Sequence, residues 1–288
     1  MSRRGALLFA AMCVIWGLPY LMIRVAVREL DPGTLVFLRT ALAALLLTPL
    51  AAYRRGLLPL LPVWLPLLAY TVIEVAIPWV LLGRAETKLT SSLTGLLIAA
   101  VPLVGALIVT IGGGEHVDRR RWSGLLIGLV GVAAIVGLDV GQTDVGALLE
   151  VAAVAVCYAI GPMIFARYLS EVPAMGVVAA SLLLTAIAYL PFALTHWTSS
   201  PSSHVILSVI GLAVICTAIA FLVFFALINE VGPVRATVIT YVNPAVAAVL
   251  GVTILNEKLT FGMIAGFALV LAGSVLATGR AVEPVPEP

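Results

Sequence analysis

Glu74 stands inside the run Tyr70-Thr71-Val72-Ile73-Glu74-Val75-Ala76-Ile77-Pro78-Trp79. A carboxyl group at the centre of an apolar stretch is expensive to bury and marks a functional position by default. It could bind an ammonium group. It could also carry a coupling proton, because burial disfavours the charged form. The structural alternatives are an interhelical pair with Arg39 or a neutral acid bonded to a main-chain carbonyl. Pro78, four residues on, lacks an N–H and can kink the chain beside the acid. Arg39 follows Phe37-Leu38. It could attract a carboxylate or other anion, or snorkel to an interface.

Aromatic residues surround these charges in sequence. Trp16, Tyr20, Trp79, Tyr158 and Tyr241 fall in apolar stretches. They could pack on the apolar part of a solute and hold an ammonium group through cation–π contact, or serve as ordinary packing. Asn243-Pro244 is a polar, kink-prone pair, and Pro102 follows Val101 instead of an Asn. Pro102 and Pro244 could permit bending or be static kinks. Glu115 and Glu257 stand at connections leading into apolar runs, where acids stabilise helix N-termini. They read as structural or gating groups before ligands. Glu150 reads as interfacial, Asn229 and Glu230 as helix caps, and Trp64, Trp122 and Trp197 as an interfacial belt.

The same inventory argues against other chemistry. No phosphate-binding glycine loop followed by Lys-Ser or Lys-Thr occurs, and His116, His196 and His204 fall near loops. Cys13, Cys157 and Cys216 match no zinc or redox spacing. No cofactor and no metal are expected, and an enzyme is disfavoured. The formal charge of +2 is too small to suggest nucleic acid.

The positioning elements follow from composition. The 288-residue chain is 62% hydrophobic and 10% charged, whereas soluble domains carry about a quarter charged residues. Its mean hydropathy of +1.18 places it in a bilayer. Spanning about 30 Å of hydrocarbon takes about 20 apolar residues per helix. Ten helices are predicted at 6–25, 32–53, 63–83, 89–110, 122–138, 145–166, 173–194, 204–228, 233–253 and 260–279. The first reads as a retained helix, not a cleaved leader. Residues 280–288, rich in Pro and Glu, read as a disordered tail. Ten crossings put both termini on one side. Basic residues number ten on that side against five on the other, which predicts cytoplasmic termini in an inner or plasma membrane.

A shift of 142 residues aligns the two halves. It carries Trp16 onto Tyr158, Pro102 onto Pro244, Glu115 onto Glu257, Gly124 onto Gly266 and Gly131 onto Gly273. Two domains follow, 1–138 and 145–279. Each holds five helices, so the second must enter the membrane in the opposite sense. Inverted repeats are a recurring basis for alternating access. The fold class expected is all-α integral membrane, ten helices in two inverted five-helix repeats. Gly124-Gly128 and Gly262-Gly266, spaced by four, suit close helix approach.

Together these residues resemble the drug/metabolite transporter superfamily, in particular its EamA-like branch. The likeness rests on Ile15-Trp16-Gly17, Asp31-Pro32, Phe37-Leu38-Arg39, and Ala85 to Pro102 running on to Glu115 and Gly124. In the second half it rests on Ala226 to Pro233, Tyr241-Val242-Asn243-Pro244, Leu255-Asn256-Glu257-Lys258-Leu259 and Gly262, Gly266 and Gly273. It covers residues 6–279. One departure is Gly113-Gly114-Glu115-His116 where the second half has Leu255-Asn256-Glu257-Lys258. The resemblance implies inverted repeats around a central cavity and a carrier for small metabolites. Some relatives export amino acids, and others take up or exchange solutes. The expected function is export of amino acids or related amphipathic solutes by alternating access, with proton coupling through Glu74. Uptake or exchange, a channel and a membrane enzyme are the alternatives. The expected partners are a small-molecule substrate and the lipid bilayer. A homodimer is compatible, but a monomer suffices.

Overall fold

The computed structural model describes residues 1–112, 119–137, 144–197 and 200–278. Those residues are all-α. Nine helices among them are long and apolar enough to cross a membrane: α1 (Arg3–Ala26), α2 (Pro32–Tyr53), α3 (Leu58–Lys88), α4 (Ser91–Ile111), α5 (Arg119–Gly137), α6 (Val145–Leu169), α7 (Ala174–Thr195), α8 (Ser203–Val231) and α10 (Phe261–Thr278). The remaining apolar helix, α9 (Ile239–Leu255), is shorter. Glu115, His116 and the tail 280–288 lie outside the described residues.

Side-chain caps set several starts. Ser2 accepts from Gly5 N at the head of α1. Asp31 accepts from Gly33 N (2.8 Å) ahead of Pro32 in α2. Asp144 accepts from Ala147 N (3.0 Å) in α6. Each satisfies an N–H that the helix leaves unpaired.

Two predicted boundaries are corrected. The polar stretch Arg84 to Lys88 continues α3 instead of leaving it, so only Leu89-Thr90 join α3 to α4. Arg84 and Lys88 pair with Glu150 (2.8 Å) and Asp144 (3.7 Å), which lets a helix end carry charge. At the other boundary, α8 runs on to Val231, a single turn covers Pro233–Ala236, and α9 begins at Ile239. Glu230 contacts Ser2 Oγ (2.5 Å) and Arg4 (3.9 Å). It ties α8 to α1 where a cap was expected.

These contacts define two faces. The near face holds Ser2, Glu230 and the α2–α3 and α6–α7 connections. The far face holds Glu29, Ser202, Ser91 and Glu257. The largest helix–helix interface joins α5 to α10. There the backbones touch. A Cβ on Gly124 would fall 2.5 Å from Ala277 N, and one on Gly266 would fall 2.5 Å from Gly131 O. Other interfaces are α2 with α7 and α4 with α9. Adding five to each number returns these same pairs. It also converts α2 on α8 into α7 on α3, and α3 on α6 into α8 on α1, both of which occur.

Among the described residues three helices contain a widened turn, with backbone bonds closing five residues back. They are Thr71–Ala76 in α3, Phe165–Leu169 in α6 and Gly211–Ile219 in α8. Such turns concentrate at functional sites. The 142-residue shift carries the first onto 213–218, inside the third.

Candidate functional site: a buried arginine and a half-buried acid between widened turns

Arg39 lies two turns into α2 and is 8% exposed. Its guanidinium stacks over the Trp79 ring of α3, with Cζ 3.6 Å from the centroid. Nε donates to Thr217 Oγ1 of α8 (3.0 Å). Thr217 in turn donates to the carbonyl of Leu212 (2.7 Å), five residues back in the widened turn. The turn thus orients the hydroxyl, and the hydroxyl orients the guanidinium. Snorkelling, one of the sequence expectations, does not occur. Desolvated stacking of this kind contributes about 2 kcal/mol.

Glu74 sits in the widened turn of α3. Its carboxyl packs against Gly161 of α6, where a Cβ would collide with it. Oε2 is enclosed and has no hydrogen-bond partner among the described residues. Among the described residues no ion pair joins Glu74 to Arg39, because Arg39 is turned towards Trp79 and Thr217. Pro78 opens the segment after the widened turn and is buried. The nearby carbonyl of Ala76 receives the Tyr189 hydroxyl of α7 (2.9 Å).

Tyr158 of α6 lies beside the Trp79 indole and within electrostatic range of both Glu74 and Arg39. Tyr20 of α1 is buried and lies within electrostatic range of Arg39 and Tyr158. Five of the sequence candidates therefore converge: Glu74, Arg39, Trp79, Tyr20 and Tyr158. A cation and a half-buried acid that both neighbour Tyr158 can hold the two ends of a small zwitterion.

The other candidates sit elsewhere. Trp16 packs on Phe224 (4.7 Å between centroids) and Phe221 (6.2 Å) of α8, where α1 breaks at Trp16-Gly17. Asn243 donates its amide to the carbonyls of Ile239 (3.0 Å) and Cys13 (3.1 Å), tying α9 to α1. Pro244 is buried inside α9. Tyr241 turns to Thr278 of α10 (3.5 Å). Pro102 follows a break in α4 at Ala99-Ala100. Glu257 caps the start of α4, accepting from Ser91 N (2.9 Å), Ser92 N (2.8 Å) and both serine hydroxyls. Its counterpart Glu115 lies outside the described residues.

A cleft of about 500 Å³ opens at the near face, lined by Arg54, Met175, Leu222, Phe225 and Asn229 among others. Met175 and Phe225 pack against the same cluster of buried residues as Trp79.

Sequence reasoning missed Thr217 and Glu86. The repeat could have pointed to the first, since the 142-residue shift places Glu74 on Cys216, next to Thr217. Glu86 was hidden because Arg84 to Lys88 read as a connection.

The EamA-like transporter family matches this chain twice, over residues 3–137 and 146–279. The uncharacterized transporter YvbV of Bacillus subtilis is 24% identical, over 97% of this chain and 93% of its own. The uncharacterized inner membrane transporter YedA of Escherichia coli is 29% identical, over 87% and 82%. A probable amino-acid metabolite efflux pump of Salmonella typhimurium is 23% identical, over 95% and 94%. A crystal structure with 21% identity superposes with a TM-score of 0.67, covering 95% of this chain and 96% of that one, and shares its fold.

Proposed function

The chain belongs to the EamA-like transporter family, and we propose that this membrane transporter exports amino acids or related amphipathic solutes by alternating access, with Glu74 as the coupling carboxyl. The observation that carries the reading is a half-buried acid, whose Oε2 has no hydrogen-bond partner among the described residues, brought near a stacked arginine by two widened turns. Arg39 takes the solute carboxylate, and the aromatic walls take its apolar part. Glu74 takes the ammonium group or, in the other state, a proton. The name of the Salmonella relative supports the amino-acid class.

The two family matches, and the interfaces that recur when five is added to each helix number, support two five-helix halves, 1–138 and 145–279, inserted in opposite senses. The excess of basic residues at the near face supports cytoplasmic termini, in an inner or plasma membrane like that of YedA. The far end is then the external one. It is held shut by Glu257 on α4 and by Glu29 on Ser202.

The test is flux of labelled amino acids in proteoliposomes with an imposed pH gradient. Wild type should respond to the gradient, and Glu74→Gln should not. A folded Glu74→Gln protein with unchanged gradient dependence would remove Glu74 from the coupling step. Counterflow without a gradient separates a carrier from a channel.

A further inference from the structure

Glu86, near the far end of α3, is 0% exposed. Neither carboxyl oxygen has a hydrogen-bond partner among the described residues. With no hydrogen bond to either oxygen, and Arg24 engaged with the main-chain carbonyl, the enclosure favours the neutral acid, since a buried charge without hydrogen bonds is far costlier. The groups facing it are few. From α1 come Tyr20 and Arg24, and Arg24 donates to the main-chain carbonyl of Glu86. From the α9–α10 connection comes Glu257, committed to the α4 cap. On α6, Glu150 and Asp144 pair with Arg84 and Lys88. At the start of α2, Asp31 is turned onto its own helix. Glu86 is thus walled in by the elements that meet at the far end.

We infer that Glu86 is a proton-binding site of the far-end closure, taking a proton from far-side water as the end shuts and returning it as the end opens. One O–H bond of a far-side hydronium breaks, leaving water, as the carboxyl O–H bond forms; on opening the carboxyl O–H breaks and water takes the proton back. Burial without partners requires the neutral acid, whereas hydration on opening, beside Arg24, favours the carboxylate. Mild acid on the far side, short of protonating Glu29 in its clasp with Ser202, therefore holds that end closed. The inference rests on the reading that the far end opens, but not on a role for Glu74.

The experiment places spin labels at Thr87→Cys and Lys258→Cys, both exposed at the far face, in nanodiscs. The distance distribution is then followed against pH, with and without an amino-acid mixture. One linked proton changes the closed-to-open ratio by up to about tenfold per pH unit. Above the range in which the Glu29 carboxyl protonates, wild type should show that slope with opening at high pH, and Glu86→Gln should remain closed and pH-independent. Glu86→Asp should restore the dependence, and Arg24→Gln should move the midpoint to higher pH. A full slope in folded Glu86→Gln overturns the assignment. Should Glu86→Gln not fold, an unmoved midpoint in Arg24→Gln overturns it equally. Distances that respond to solute but not to pH reject Glu86 alone. Distances fixed under every condition reject far-end opening as well.

Discussion

Glu257 and Ser92 are 165 residues apart in sequence, yet the carboxylate of one accepts both the main-chain N–H (2.8 Å) and the hydroxyl (2.5 Å) of the other. Asn256, in the left-handed conformation at φ 56°, turns the chain out of α9 and delivers the acid to α4. Gly251 leaves the space beneath it. Hydrogen bonds to a charged group contribute about 1.5–3 kcal/mol. Glu257→Ala should lower stability by about 2–3 kcal/mol, measured by thermal unfolding in detergent. Hydrogen exchange at Ser91 and Ser92 should accelerate, and unchanged protection there would remove the cap from the stability of this end.

The stacked arginine gives a second expectation. Arg39→Lys keeps the charge but loses the planar stack on Trp79 and the bond from Nε to Thr217. Lysine does not reproduce either. Transport of a carboxylate-bearing solute should fall by about tenfold, or ~1.4 kcal/mol. Thr217→Val should follow in the same direction, less steeply. Initial rates in proteoliposomes at matched protein density decide it.

Gly161 is the floor on which Glu74 rests. Gly161→Ala should displace that carboxyl and lower stability by about 1–3 kcal/mol, the usual cost of overpacking. Combining it with Glu74→Ala should recover most of that loss, since the colliding atoms are gone. A double-mutant cycle on unfolding temperature measures the coupling, and strictly additive losses would contradict the contact.

The far-face clasp between Glu29 and Ser202 should depend on pH. The main-chain N–H and hydroxyl of Ser202 hold the Glu29 carboxyl below the usual glutamate range. A lowered value in the folded state means that the clasp stabilises at neutral pH and is lost as pH falls through that lowered value. Exchange of the Ser202 amide should therefore quicken on acidification. In Glu29→Gln it should be fast at every pH.

The helices were legible because each buries its own backbone bonds and needs only an apolar run of sufficient length. The seam between α5 and α10 was legible in part, through the four-residue spacings Gly124-Gly128 and Gly262-Gly266, although only the structure shows which backbones meet. The charged end of α3 was not legible. Arg84 and Lys88 remain helical because Glu150 and Asp144 stand opposite them, and no local pattern records a partner on another helix. Glu74 and Arg39 were visible as charges in apolar surroundings. Their separation was not, since it depends on Trp79 and Thr217 offering Arg39 a better place.

The widened turns of α3 and α8 each accommodate more residues per turn than a regular helix. Such a surplus behaves as a dislocation in a crystal. It advances one position when one main-chain bond is exchanged for its neighbour, so the number of bonds is conserved. Each step re-phases the residue it passes by about 100°. Glu74 and Cys216 lie within these two dislocations, so the side chains presented to the interior can be changed without melting or sliding the helices that carry them.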